Sequence, residues 1–429
     1  MRYFTTRSAD SGYSLREAAF AGLAPDGGLF MPGTVPAADL DEVRERAGSS
    51  FADMAEYLAG LFFGGDLSRE ELRSVCRSAF DFDVPLQHIG GGLHTLELFH
   101  GPTAAFKDFG AGFMGRSLGL LRDGPRGLTI LTATSGDTGS AVAHGFHGAE
   151  GIDVVILYPD GRISDLQESQ MTTLGGNIHA LRVAGTFDDC QRMVKEVFAD
   201  AGFRAGHNVT SANSINLLRW IPQSFYYFYG WALWRGAAGG GEAPEVVVPS
   251  GNYGNLSAGM LARRMGLPVR RFVAASNAND VIPEWLRTGD YRPRPSVTTL
   301  ANAMDVGAPS NYERMMSMAN GDMGAIRGEI GGWASSDAEI RAGIRRLYDD
   351  WGYVSDPHSA AGYLAAAQCG ARGFWLSTAS PAKFGEVIEP VLGFAPEVPA
   401  RLARLLDRPK VSTPIAPDSA ALREFVGSI

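Results

Sequence analysis

Lys107 stands between Phe106 and Phe109 in the segment His100-Gly-Pro-Thr-Ala-Ala-Phe-Lys-Asp-Phe-Gly110. A helical pattern of apolar residues (Phe109, Phe113, Met114, Leu118, Leu121) begins beside it. An ammonium in apolar surroundings at the positive end of a helix is destabilised, so its pKa falls below the ordinary value of about 10.4. An amine poised in this way attacks carbonyl carbon and forms Schiff bases. The competing reading is a lysine that lays its stem along the surface and pairs with Asp108.

Two loops could hold anions. Thr132-Ala-Thr134-Ser135-Gly136-Asp137-Thr138-Gly139 follows the apolar run Leu128–Leu131 and precedes a helix-like stretch, Ser140–Gly148. Pro249-Ser250-Gly251-Asn252-Tyr253-Gly254-Asn255 follows Glu245–Val248 and precedes a second, Leu256–Met265. Backbone N–H groups at a helix start carry partial positive charge, and glycines let a ligand approach them closely. Each loop can equally be a tight turn whose hydroxyls cap the helix. Two in one chain suit one ligand with two anionic groups, or two anions that meet. Ser377 and Thr378 end another apolar run, Phe374–Ser377. Such a hydroxyl pair can bond a neutral heteroatom, or make a turn with Pro381.

Two motif matches lack their context. Gly110-Ala-Gly112-Phe-Met-Gly115 fits the dinucleotide fingerprint but follows no strand. Gly115-Arg-Ser117-Leu-Gly119 fits the nucleophile elbow but lies inside a helical pattern. Close helix packing explains the small residues of both. No Walker A or zinc motif is present, and His358 in Asp356-Pro-His-Ser reads as structural.

The elements that must position these groups form an α/β pattern. Apolar runs at Leu128–Leu131, Val154–Tyr158, Glu245–Val248, Arg271–Ala275 and Phe374–Ser377 alternate with helical stretches, as buried parallel strands do. Ligands of such sheets bind beyond the C-terminal strand ends, where the candidate loops stand. Residues 1 to 90 read as mainly helical, the aromatic run Phe225 to Trp234 as a buried helix, and Gly236–Gly241 as a surface loop. The last 40 residues, which contain Pro396, Pro399, Pro409, Pro414 and Pro417, read as a surface wrap. The 429 residues allow two to three domains at about 150 residues each. A net charge of −9 argues against a nucleic-acid surface. Cys76, Cys190 and Cys369 make neither a disulfide framework nor a metal spacing, which suits the cytoplasm. No secretory signal is evident, and no run reaches the ~18 apolar residues of a membrane span.

A reactive lysine, two anion cradles and a strand-end hydroxyl together suit pyridoxal phosphate. The blocks that contain them resemble the threonine synthase family of fold-type II pyridoxal-phosphate enzymes. The resemblance runs through GLAPDGGLFMP (22–32), LELFHGPTAAFKDFG (96–110), ILTATSGDTGSAVAHGF (130–146), VVILYPDGRIS (154–164), NSINLLRW (213–220), VPSGNYGNLSAGMLA (248–262), LANAMDVGAPSN (300–311) and TASPAKF (378–384). It implies two open twisted α/β lobes with the cofactor between them over residues 91–390, a family-type N-terminal domain over 1–90 and a C-terminal surface extension over 391–429. It further implies that Lys107 is the Schiff-base lysine, and that Ser250, Gly251, Asn252, Tyr253, Gly254 and Asn255 hold the cofactor phosphate. Thr378 would bond the pyridine nitrogen, and Asp137 would meet the phenolic oxygen. Thr134, Ser135, Gly136, Thr138 and Gly139 would face the substrate. Asn213, Ser214, Asn216 and Arg219 would hold its phosphate, a task that suits the planar fork of arginine. The implied reaction turns O-phospho-L-homoserine and water into L-threonine and phosphate in the cytoplasm, without nucleic acid or membrane, by a monomer or a homodimer. The family often has His where Ser380 stands here. A related phospholyase or a serine/threonine dehydratase would share the lysine and the cradles. A nicotinamide oxidoreductase would rest on Gly110–Gly115 alone, and intact loops count against a lapsed binding protein.

Overall fold

The computed structural model describes residues 1–8, 12–122, 127–237 and 242–429, apart from the side chain of Ala205. β1 (Tyr3–Thr5) and β2 (Phe30–Pro32) form a small antiparallel pair. β3 (Leu86–Gly90) and β4 (Leu93–Glu97) form a hairpin. Its two-residue turn, Gly91-Gly92, has φ of 59° and 78°, the positive values that let a tight hairpin follow the strand twist. Nine further strands follow among the described residues: β5 (Leu128–Ala133), β6 (Ile152–Pro159), β7 (Ile178–Val183), β8 (Val209–Ser211), β9 (Glu245–Pro249), β10 (Arg271–Ser276), β11 (Ile330–Ala334), β12 (Gly373–Ser377) and β13 (Thr413–Ile415).

These strands build two sheets. One is wholly parallel, in the order β13-β7-β6-β5-β8. The other runs β11-β10-β9-β12-β4-β3 and is parallel except for β3. The five apolar runs all become strands. All six residues of β5 are buried, as expected of a strand covered on both faces. The dinucleotide-like and elbow-like glycines lie within one helix, Lys107–Leu120. A Cβ on Gly115 would stand 1.9 Å from the carbonyl oxygen of Gly145 and one on Gly110 2.4 Å from that of Arg219, so these two glycines serve contact between helices, while Gly119 has open space beside it.

The N-terminal region is mainly helical, with β1, β2 and β3 as additions. Phe51, at the start of the helix Phe51–Phe63, meets the rings of Phe80, Phe109 and Tyr229 at centroid distances of 5.1, 5.1 and 5.3 Å. This clamps the helix that begins at Lys107 to the N-terminal helices and to the aromatic helix Phe225–Ala237. Gly236 and Ala237 end that aromatic helix, and the rest of the glycine-rich stretch, Ala238–Gly241, lies outside the described residues. The C-terminal segment does more than wrap the surface. β13 extends the parallel sheet beside β7, and the helix Ser419–Ser428 buries Leu422 and Val426 against Val183, Cys190 and Val197.

Candidate active site

Five parallel strands end at the candidate residues. β4 leads to Lys107, β5 to Ser135–Gly139, β8 to Asn213–Asn216, β9 to Ser250–Asn255 and β12 to Thr378. Three of these strands belong to one sheet and two to the other, so the C-terminal ends of both sheets supply the site. The loop Leu98–Phe106 is pinned across this junction. Its Phe106 N–H donates to the Thr378 carbonyl at 2.8 Å, and Ser380 N–H donates to the Ala104 carbonyl at 3.0 Å. Lys107 is therefore held beside Thr378 by backbone alone.

Lys107 opens its helix, and its side chain keeps 15% of its surface exposed. Asp108 is not its partner. The Asp108 carboxylate turns back to Thr103, accepting from its N–H at 2.9 Å and from its hydroxyl at 2.6 Å. Burial pushes the Asp108 carboxyl up to about 6. The carboxylate near Lys107 is Asp137, whose Oδ2 lies 3.6 Å from Nζ. Burial lowers the pKa of Lys107 most; Asp137 opposes this, while Lys383 and Arg219 add to the lowering. Burial alone would raise the Asp137 carboxyl, but Lys383 and Lys107 hold it well below the usual carboxylate range.

The loop before Asp137 is shaped by Thr134, whose buried hydroxyl accepts from the N–H of Gly136 at 2.9 Å and of Gly139 at 2.8 Å. Thr134 thus folds the loop through its hydroxyl oxygen. Gly136 has φ 131° and sits against Gln167, which donates to Asp137 Oδ1 at 2.9 Å. The helix starts at Asp137, three residues before the sequence pattern indicated. Among the described residues, the N–H groups of Ser135, Asp137 and Thr138 have no protein acceptor.

The second loop is similar. Its helix starts at Gly254, and the N–H groups of Gly251, Asn252, Tyr253 and Gly254 have no protein acceptor among the described residues. Tyr253 takes the left-handed conformation, φ 58°, and its hydroxyl bonds Ser276. Ser250 and Asn255 bond each other at 2.7 Å, and Asn255 also donates to the Pro249 carbonyl. Their side chains brace the cradle, and its backbone is left for an anion. A Cβ on Gly251 would stand 2.7 Å from the Met304 Cα, whereas one on Gly254 would meet only Ser214 and Asn311 side-chain atoms, at 3.3 Å and beyond. The hydroxyl of Thr378 has no protein partner among the described residues, while Ser377 is engaged by Thr95 at 2.8 Å. These open donors, a lysine at the junction and a hydroxyl beside it fit pyridoxal phosphate.

The segment Asn213–Asn216 divides in two. Ser214 reaches the second loop, accepting from Asn252 Nδ2 at 2.7 Å, and Asn213 accepts weakly from Thr132 at 3.4 Å. Asn216 is turned away: its amide donates to the Ala19 and Ser211 carbonyls, and its oxygen caps Leu218 N–H. It holds the turn and has no group left for a phosphate. Arg219 is buried, donates Nη1 to the Ala212 carbonyl at 2.6 Å, and has an unpartnered Nε. Burial lowers its pKa to about 10, against the pull of Asp108. Among the described residues no carboxylate pairs with it within ion-pair distance.

Sequence reading missed Gln167, Lys383 and Arg314. Arg314 is fully buried, with Nη1 on Asn311 Oδ1 at 2.8 Å and on the Ser214 carbonyl, and Nη2 on the Ile215 carbonyl at 2.7 Å. It lies 4.2 Å over the Trp220 ring and ties Asn213–Asn216 to the loop ending at Asn311. Only the block 300–311 just before it, one of the stretches that carry the family resemblance, hinted at a site. Ser380, where the family often has His, caps the turn Pro381–Phe384 by accepting from Ala382 N–H. His358 is structural, bonded to Asp356 at 2.6 Å and accepting from Ala303 N–H at 3.1 Å. The described residues contain no candidate metal cluster and no helix long and apolar enough to cross a membrane.

Comparison with known proteins agrees with this geometry. A model of pyridoxal-phosphate dependent enzymes matches residues 85–374, one of the threonine synthase N terminus matches 2–80, and one of the threonine synthase C-terminal region matches 359–426. Threonine synthase of Escherichia coli (strain K12) is 40% identical, with 99% of each chain covered. The crystal structure of the Escherichia coli enzyme superposes with a TM-score of 0.90 over 100% of both chains, at 40% identity. That of PLP-bound threonine synthase from Brucella melitensis gives 0.91 over 99% of this chain and 98% of the other, at 34% identity.

Proposed function

Because the chain belongs to the threonine synthase family of pyridoxal-phosphate-dependent enzymes, we propose which of its residues carry the family's reaction. The reaction converts O-phospho-L-homoserine and water to L-threonine and phosphate, and the cofactor is pyridoxal 5′-phosphate. When bound, the cofactor supplies an electron sink for negative charge that develops at the substrate Cα.

The residues divide the work. The open N–H groups of Gly251, Asn252, Tyr253 and Gly254 hold the cofactor phosphate, braced by Ser250 and Asn255. Lys107 carries the cofactor, then takes the Cα proton and later returns one to Cα. Loss of a Cβ proton and of phosphate from Cγ, gain of a proton at Cγ and addition of water at Cβ complete the balance. Thr378 donates or accepts at the pyridine nitrogen without forcing its protonation, as a carboxylate would. The N–H groups of Ser135, Asp137 and Thr138 receive one substrate anion. Arg219, with Ser214 and Asn213, receives the other. Thr134, Gly136, Gly139 and Asn216 shape the loops. The same reading divides the chain at residues 1–90, 91–390 and 391–429. It puts the enzyme in the cytoplasm, in keeping with three free cysteines, acting on a small molecule and not nucleic acid, as a monomer or homodimer.

The observation that carries the assignment is the pairing of a partly accessible Lys107 with Asp137 at a junction where seven backbone N–H groups lack acceptors among the described residues. Borohydride reduction of the loaded protein followed by peptide mapping should find the label on Lys107. A label on another lysine contradicts the assignment.

A further inference from the structure

Asp137 stands between two lysines. Its Oδ2 is 3.6 Å from Lys107 Nζ, and its Oδ1 is 2.6 Å from Lys383 Nζ. Lys383 lies in the turn Pro381–Phe384, five residues after Thr378, and its side chain has no exposed surface. It also donates to the Thr103 carbonyl at 2.9 Å. Gln167 adds a donor at the same Oδ1. Nothing in the reaction as described above uses this second lysine. A buried ammonium is costly unless paired and hydrogen-bonded, so its place beside the catalytic pair needs a reason.

Its surroundings supply one. The charged groups that face Lys107 are Asp137, Lys383 and Arg219. Asp108 lies close to Lys383 and Arg219 but is engaged by Thr103. His144 also faces Lys383 and is held neutral by burial. With Lys107 as the only partner, an ionised Asp137 would keep the Lys107 ammonium charged. An ammonium has no lone pair and cannot join a carbonyl carbon or accept a proton.

We propose that Lys383 is a positioning residue that takes the nearer oxygen of Asp137 and so leaves Lys107 free to act as a neutral amine. Asp137 remains ionised and fixed, with its charge answered chiefly by Lys383. Lys383 cannot itself replace Lys107, since it is tied to Asp137 and Thr103 and no surface of it is open. The proposal rests on Lys107 being the cofactor lysine.

The test uses the full-length enzyme, stripped of cofactor and reloaded with pyridoxal phosphate across a range of pH. The loading rate is followed by visible absorbance, and borohydride mapping identifies the lysine loaded. In Lys383→Met the pH midpoint of loading at Lys107 should rise by about one unit or more. Adding Asp137→Asn should return the midpoint to the wild-type value or below. An unchanged midpoint in folded Lys383→Met, or one that stays raised in the double variant, overturns the proposal. If Lys383→Met does not fold, Lys383→Gln, which keeps hydrogen-bond donors without the charge, decides: a raised midpoint supports the proposal, and an unmoved one overturns it. A borohydride label elsewhere than Lys107 overturns instead the reading on which the proposal rests.

Discussion

Arg219 keeps a guanidinium in the core with no carboxylate within ion-pair distance among the described residues and one N–H unsatisfied. A buried cation without a hydrogen-bonded counter-ion is costly, which makes sense if an anion arrives in the working enzyme. O-phospho-L-homoserine brings a phosphate as well as a carboxylate. Removing a charge-assisted contact to that phosphate costs about 1.5–3 kcal/mol, roughly ten- to a hundred-fold in catalytic efficiency. Arg219→Ala should lose that much kcat/KM while keeping cofactor affinity, and inorganic phosphate should inhibit it less than the wild type. Full efficiency in the variant would assign the phosphate to another residue. At this scale the sequence showed the reactive groups but not their partners. Asp108 adjoins Lys107 in the chain, yet neighbours i and i+1 on a helix do not face each other. The true partner, Asp137, and its second lysine, Lys383, come from other elements, 30 and 276 residues away.

The two cradles show what an element adds. Each is a strand, a loop and a helix start, and that grammar was legible in the glycines and hydroxyls. The space around each glycine was not. The sequence does not tell Gly251 from Gly254. Gly251 is the residue without room for a Cβ, because Met304 backbone from the loop 300–311 lies against it. Gly251→Ala should weaken pyridoxal phosphate binding at least ten-fold in titrations of the stripped protein. Gly254→Ala should change it by no more than a few-fold, since the nearest atoms there stand at 3.3 Å and beyond. The reverse order would contradict the packing described. Strands followed the same rule. Continuous apolar runs gave β5, β6, β9, β10 and β12. β7 (Ile-His-Ala-Leu-Arg-Val) carries polar residues, β11 (Ile-Gly-Gly-Trp-Ala) resembles a loop, and β13 contains Pro414, which only an edge tolerates. Those strands depend on neighbours for their existence, and single-segment periodicity does not show them.

On the scale of the whole molecule, a chain of net charge −9 gathers Lys107, Lys383 and Arg219 at one junction with two carboxylates, Asp137 and Asp108. They lie where five strands from two sheets end. A net-acidic chain repels anions at large, while Arg219 and the open N–H groups favour small ones that reach the junction. The resemblance to a known family made this architecture readable before any coordinate, but the sharing of one site by both sheets follows from β3 and β4 joining the sheet of β9–β12 while Lys107 faces the other. The central claim is that phosphate leaves by cleavage of the Cγ–O bond and that water enters at Cβ. Turnover of O-phospho-L-homoserine in heavy-oxygen water, with mass analysis of both products, tests this directly. The account predicts L-threonine carrying one heavy oxygen in its hydroxyl and phosphate carrying none. Heavy oxygen in the phosphate with homoserine as the other product, or 2-oxobutyrate in place of threonine, would contradict it.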